Sequence, residues 1–298
     1  MTTKKAINAK CTNEVLQSLV QVKLTVHFWN GVRKQNDLAR EFEVSKGAED
    51  DSCDLQVIYI PKHIQHKIGV AKSRLESFWK TASLPWEDGG WRVVTAEAFM
   101  PLLDSIAPLV RNYNDTVEEV VGMYDEIKAE AKRKLNGMFD ESRFPSKDDF
   151  RAKYGVDNYS KPIPISADTR IAGLSEASQQ LVRRSVEMQI SEQLNKAVET
   201  IGERLKKLVN DMQIRLAKDD AKGTRFAGLL GTVNEVCDAL ATLNITKDPV
   251  VTETINKVKR TLTKYSPDDL RDETKPTVRN DMKLAARTLA AELDELFK

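Results

Sequence analysis

Residues 194–212 read LNKAVETIGERLKKLVNDM. Leu194, Val198, Ile201, Leu205, Leu208 and Met212 follow one another at steps of 4-3-4-3-4, the interval that returns side chains to one side of an α-helix. Arg204, Lys206, Lys207, Asp211 and Arg215 fill the other faces. No proline falls between Ser175 and Lys222, and Gly223 is a natural stop. The spacing therefore predicts a single helix over 175–222, on the order of 70 Å long.

Working outward, the same signature occurs earlier in the chain. Val110, Tyr113, Val117, Val120, Tyr124, Ile127 and Ala131 step 3-4-3-4-3-4 and predict a helix over about 96–136. Pro101 and Pro108 are expected to kink or interrupt its start, and Gly137 to cap its end. Two such seams can pack on each other as an antiparallel hairpin, or each can pair with another subunit. Both arrangements fit the spacing.

Around these helices the pattern changes. Val20, Val22, Leu24, Val26 and Phe28 alternate with Gln21, Lys23, Thr25, His27 and Trp29, which predicts a half-buried strand, and Asn30-Gly31 supplies a turn. Residues 45–54 form an acidic loop. Val57–Ile60 is a short apolar run stopped by Pro61, and 62–82 has helical spacing. Residues 84–90 make a turn ahead of a second strand at Trp91–Val94. The stretch 138–173 is broken by Pro145, Pro162 and Pro164. Within it, Ser146-Lys147-Asp148-Asp149 has the form of a helix start, and Ile163 and Ile165 suit an edge strand or an extended linker. Beyond Gly223, helices are expected at 225–244, after the Asp248-Pro249 and Ser266-Pro267 caps, and at 278–297. The fold class expected is mainly α (α+β): a small N-terminal β element, two long heptad-bearing helices and a C-terminal helical bundle. By position the chain divides into an N-terminal α+β region 1–95, a long-helix region 96–222 interrupted by 138–173, and a helical region 223–298.

Composition narrows the function classes. The 298 residues carry 46 Lys+Arg and 45 Asp+Glu, a net charge of +1, which excludes a strongly basic nucleic-acid binder and an acidic DNA mimic. All the aromatic residues except Phe226, Tyr265 and Phe297 precede Ser160, so the two halves are expected to differ in packing style. Cys11, Cys53 and Cys237 are scattered and odd in number, as in a reduced compartment. The N-terminal residues lack a secretory pattern, and no apolar run approaches the roughly 20 residues needed to span a bilayer. These features predict a cytoplasmic protein with no membrane association.

Chemistry-bearing motifs are few. His63 and His66 share a helix face near Asp50, Asp51, Cys53 and Asp54, but the spacing of a metal site is lacking. Gly223 to Gly228 departs from a phosphate-binding loop, and no nucleophile elbow occurs. The expectation is a non-enzymatic protein with no cofactor and no resident metal. The basic residues Lys132, Arg133 and Lys134, Arg183 and Arg184, and Lys257, Lys259 and Arg260 are candidate nucleic-acid contacts. Each group is interleaved with acids such as Glu130, Glu187 and Glu253, the pattern of a solvated helix face. Trp29, Trp79, Trp86 and Trp91 are candidates for base stacking, although such residues more often build a core, and Trp86 and Trp91 are the two expected to be partly exposed.

Three segments, Leu24–Gly31, Leu84-Pro85-Trp86 with Gly90–Val94, and Phe144-Pro145-Ser146 with Phe150–Gly155, carry a family resemblance. Residues 16–170 resemble a phage and prophage family whose genes often stand beside a MoxR-type AAA+ ATPase and a von Willebrand A-type protein. The resemblance implies no catalytic residues. It implies a partner of an ATPase machine, or an accessory of DNA metabolism or anti-defence. Together with the two seams it favours an interaction or assembly protein, either a homo-oligomer or a partner of an AAA+ ATPase. A nucleic-acid-binding accessory protein is the alternative.

Overall fold

The computed structural model describes residues 13–164, 173–218 and 226–297. It is 68% helical, with a small antiparallel sheet, and so mainly α of the α+β kind. In chain order the first elements are α1 (Asn13–Gln17), β1 (Leu19–His27), β2 (Val32–Lys34), α2 (Asn36–Lys46), β3 (Gln56–Ile58) and α3 (Lys62–Thr81). Then come β4 (Leu84–Pro85), β5 (Arg92–Thr95), α4 (Ala96–Gly122), α5 (Tyr124–Leu135), α6 (Lys147–Arg151) and β6 (Gly155–Pro162). Five helices finish the chain: α7 (Glu176–Ala217), α8 (Phe226–Thr242), α9 (Pro249–Leu262), α10 (Pro267–Arg271) and α11 (Pro276–Leu296).

The chain forms two compact units. One comprises Met1–Lys23, Lys80–Leu102 and Tyr159–Lys298; the other comprises Leu24–Trp79 and Leu103–Asn158. Each gathers separated stretches of chain, following which residues pack together and not their order in the sequence. The divisions fall inside β1, α3, α4 and β6.

In the first unit α7 is the central helix. Leu194, Ile201, Leu205, Val209, Met212 and Leu216 are each fully buried. The buried face is broader than a two-position seam because α11, α8, α9 and β4 all pack on this helix. α11 runs antiparallel to it: Lys206 pairs with Asp294 at 2.9 Å, and Arg279 donates to the Leu216 carbonyl near the other end. The Phe297 ring lies over Gly202, where an added Cβ would stand 2.3 Å from it. The short helices start where local chemistry dictates. Asp248 accepts from Val250 N and Ser266 from Asp269 N, each with proline at the first helical turn. Two arginines close the end of α3: Arg92 Nη2 donates to the carbonyls of Lys80 and Ser83, and Arg204 to those of Lys80, Thr81 and Ser83. They answer orphan carbonyls at a helix C-terminus, where positive charge is favoured. Burial, with Arg204 adding to it, brings Arg92 down to about 10.

The sheet order is β4-β5-β1-β6, and β1 pairs antiparallel with β5 from Leu19↔Thr95 to Val22↔Arg92. The alternation expected of β1 holds only in part. Val22 is buried, but so is Gln21 on the other face, whose amide donates to Glu87 Oε1 at 3.0 Å.

The second unit is held by aromatic rings. Phe150 lies edge-on to Trp29, Tyr124 and Tyr154 at 5.7–6.1 Å. Tyr59 and Tyr124 meet Phe144 in the same way. The aromatic-rich first half of the sequence is therefore largely the core of this unit. The small β2–β3 ladder starts at Gly31, whose φ is +71° and whose carbonyl accepts from Tyr59 N at 2.7 Å. A Cβ at this position would lie 2.5 Å from that of Ile60. We expect Gly31→Ala to cost about 2–4 kcal/mol, combining left-handed strain with overpacking. Urea denaturation measures it, and an unchanged midpoint would show that the turn relaxes freely.

Several expectations are corrected. α4 runs without interruption through Pro101 and Pro108, because both prolines are exposed and the carbonyls they leave unbonded, at exposed Glu97 and Asp104, face water. The break comes at Met123 instead. Asn136, with φ +46°, ends α5 in place of Gly137. Ser146 caps α6 as expected, accepting from Asp149 N. The strand of the 138–173 stretch is β6, upstream of Ile163. Ile165, Gly223 and Cys11 lie outside the described residues.

Candidate interaction face

Burial divides α7 into two stretches. Ser175 caps it by accepting from Ser178 N at 3.2 Å. Between Glu176 and Gln189 no residue is buried, and Ile190 is the first that is. This stretch extends about 20 Å along the helix axis. Leu181 is 68% and Met188 61% exposed. Ala177, Leu181, Arg184 and Met188 step 4-3-4, so they form a single stripe. On the side turned inward, Val182 and Val186 are half-buried, and Arg183 Nε is buried with no hydrogen-bond partner among the described residues. Leucine and methionine thus face water on the side opposite the half-buried valines, which makes this stripe the candidate contact surface.

The same unit carries an apolar concavity. α9 and α11 leave a groove of about 430 Å³ between Val250 and Thr254 on one side and Leu289, Leu293 and Leu296 on the other. Val250 is 42% exposed. Glu253, Lys257 and Glu292 stand at its rim. Lys257 pairs with Glu292, whereas exposed Glu253 has no ion pair among the described residues. The groove therefore offers an apolar floor and one unanswered negative charge.

The seam residues are core residues of their own units. Tyr113, Val117, Val120, Tyr124 and Ile127 are buried and Val110 half-buried in the aromatic unit. Tyr113 donates to the His27 carbonyl at 2.5 Å and Tyr124 to that of Pro145 at 2.8 Å. Burial pushes the Tyr113 hydroxyl up to about 12. Leu194, Val198, Ile201, Leu205, Leu208 and Met212 are buried in the other unit.

Four of the eight candidate phosphate-contacting residues, all lysines, are answered locally. Lys132 stands 4.0 Å from Glu141, Lys134 pairs with Glu130, Lys257 with Glu292 and Lys259 with Asp238. Arg133, Arg184 and Arg260 are exposed. Lys132, Arg133 and Lys134 belong to one unit, and Arg183, Arg184, Lys257, Lys259 and Arg260 to the other. Trp86 corrects the expectation of exposure: it is buried at 3%, drawn in by the β4–β5 turn in which its N–H donates to the Trp91 carbonyl. Trp79 is buried too, while Trp29 and Trp91 are half-buried. Among the described residues no group of three or more His, Cys, Asp and Glu is placed to hold a metal ion. Cys53 and Cys237 are free thiols, and burial pushes Cys237 up to about 11. Among the described residues no helix is long and apolar enough to cross a membrane.

Sequence reasoning missed the exposed stripe of α7 because Leu181 and Met188 are only one heptad apart and stand among polar residues. No family model, curated protein or solved structure matches the chain.

Proposed function

We propose that this chain is a non-enzymatic interaction and assembly protein of the cytoplasm, and that it assembles with itself. The stretch Glu176–Gln189 of one copy enters the α9–α11 groove of the next. One observation carries the reading: this stretch has no side chain in the core of its own chain beyond half-buried Val182 and Val186, while Leu181 and Met188 stand exposed on one stripe. Charge supports the choice of a second copy as occupant, since Arg184 lies between the two apolar anchors and Glu253 waits at the groove rim. An amphipathic helix in an apolar groove is a common mode of recognition. The contact joins two different surfaces, so it generates rings if the rotation closes and open chains if it does not.

Light scattering across a dilution series tests this. We expect a concentration-dependent oligomer for the natural chain and a monomer for Leu181→Asp with Met188→Asp, with the melting temperature of the monomer unit retained. A strict monomer of the natural chain at high micromolar concentration would overturn the self-assembly reading. The phage-family resemblance of residues 16–170 supplies a second partner, an AAA+ ATPase. Recovery of such an ATPase in a pulldown from native or infected cells is the expected result, and a pulldown without one would remove that partner.

A further inference from the structure

The aromatic unit holds a polar pocket that the assembly reading does not use. Its volume is about 470 Å³, within the range of small-molecule sites of about 300–1,000 Å³. Arg33, Arg143 and Lys153 line it with Ser142, Ser146 and Asp149. Three cations face one carboxylate.

The cations are not equivalent. Arg143 is engaged, pairing with Asp37 and with Asp140 at 3.0 Å. Arg33 and Lys153 have no carboxylate partner among the described residues. They are held instead by a single ring: the Arg33 guanidinium carbon lies 5.8 Å and Lys153 Nζ 5.2 Å from the centre of Trp29. Both are half-buried. Trp29 is fixed in turn, its Nε1–H donating to the Val32 carbonyl at 3.2 Å and its edge meeting Phe150. Asp149 is occupied by the Ser146 hydroxyl, which donates to its Oδ2 at 2.7 Å. Two cations are thus gathered at one ring and partly desolvated, neither of them paired with a carboxylate, although Asp149 shares the lining and the hydroxyls of Ser142 and Ser146 already donate to Asp140 and Asp149. A guanidinium and an ammonium in this setting recognise a compact, multiply charged oxyanion. Lone surface lysines, already answered by neighbours, do not.

We propose that this pocket binds a phosphate group, either free phosphate or the terminal phosphate of a small phosphomonoester. Arg33 and Lys153 take its oxygens and Trp29 holds both cations in place.

Titration calorimetry with inorganic phosphate, with glycerol phosphate and with a single-stranded oligonucleotide separates the sources. The Trp29 indole N–H resonance, assigned through Trp29→Phe, reports the location. We expect phosphate or glycerol phosphate to bind and to shift that resonance. We expect Arg33→Gln and Lys153→Gln each to weaken binding about tenfold or more, the loss of one charge-assisted contact. Lys153→Arg, which retains the charge, should restore most of the affinity. Thermal melts identify any variant that fails to fold, in which case Lys153→Arg and the indole shift carry the test. Three results would overturn the proposal: no binding of either phosphate species at tens of millimolar, binding indifferent to Arg33→Gln and Lys153→Gln, or binding of the oligonucleotide alone. The last would assign the cations to an extended nucleic-acid surface.

Discussion

Replacing Phe150 with alanine is expected to destabilise the aromatic unit by about 3–5 kcal/mol, the range for deleting a buried phenyl ring. Phe150 is fully buried and meets three other rings edge to face. Edge-to-face pairs add to the burial term, so the loss falls at the upper part of the range. Little nearby can move in to fill the space. Tyr154 is tied through its hydroxyl to the Trp29 carbonyl at 3.1 Å, and Tyr124 to that of Pro145. α6 has only five residues, too few to persist without the ring that anchors it. The effect should therefore reach the phosphate pocket, because Phe150 supports both Trp29 and the turn bearing Lys153. Chemical denaturation read by tryptophan fluorescence checks the stability, and loss of phosphate binding below the unfolding midpoint checks the consequence. Phe150→Leu, which keeps most of the volume, should be markedly milder. Equal effects for Leu and Ala would mean that ring geometry, and not filled space, holds the unit.

The second large effect is expected at Leu205. Leu205→Ala should cost about 2–5 kcal/mol. The residue is fully buried in α7, next to Gly202 with its Phe297 contact, and α11 packs along this helix. Alanine is at least as good a helix former as leucine, so the loss would come from packing alone. Leu181→Ala on the same helix should stay within about 0.5 kcal/mol of the natural monomer, because that side chain is 68% exposed. The two substitutions also separate the two uses of a heptad seam. A core position destabilises equally at every protein concentration. A subunit seam shows a cost that falls away on dilution, where association contributes nothing. A concentration-dependent cost at Leu205 would place the 194–212 seam between subunits.

These contrasts follow what was legible in the sequence. Local devices were: the 194–212 periodicity, and the caps at Ser146, Asp248 and Ser266, each act within a few residues and need no knowledge of the rest of the fold. Partnerships across the chain were not. β6, Gly155–Pro162, has almost no alternation and is mostly exposed, so its place beside β1 is set by pairing and not by its own pattern. α2 buries only Ala39 and Glu43, and the Glu43 carboxylate is turned inward to accept from Cys53 N at 2.8 Å, a contact that holds it below the usual carboxylate range. The prolines of α4 carried a breaking signal that solvent exposure cancelled.

The cations show the same limit. Runs such as Lys132-Arg133-Lys134 stood out in sequence, yet the fold answers their lysines nearby. Arg33 and Lys153 are far apart in the chain and carry no spacing signal. Only the folding of β2 and α6 around Trp29 brings them to one ring. For a chain of nearly balanced charge, the informative quantity is which cations escape an acidic partner.

Self-assembly as proposed makes the exposed stretch of α7 a docking helix for a second copy. A photo-crosslinking side chain at Leu181, in a mixture of isotopically light and heavy chains, tests it most directly. We expect mixed light–heavy crosslinks whose peptides map to Val250–Lys257 of α9 and Leu289–Leu296 of α11, abolished by Met188→Asp. Crosslinks confined to single chains, or mixed crosslinks that map elsewhere and survive Met188→Asp, would contradict it.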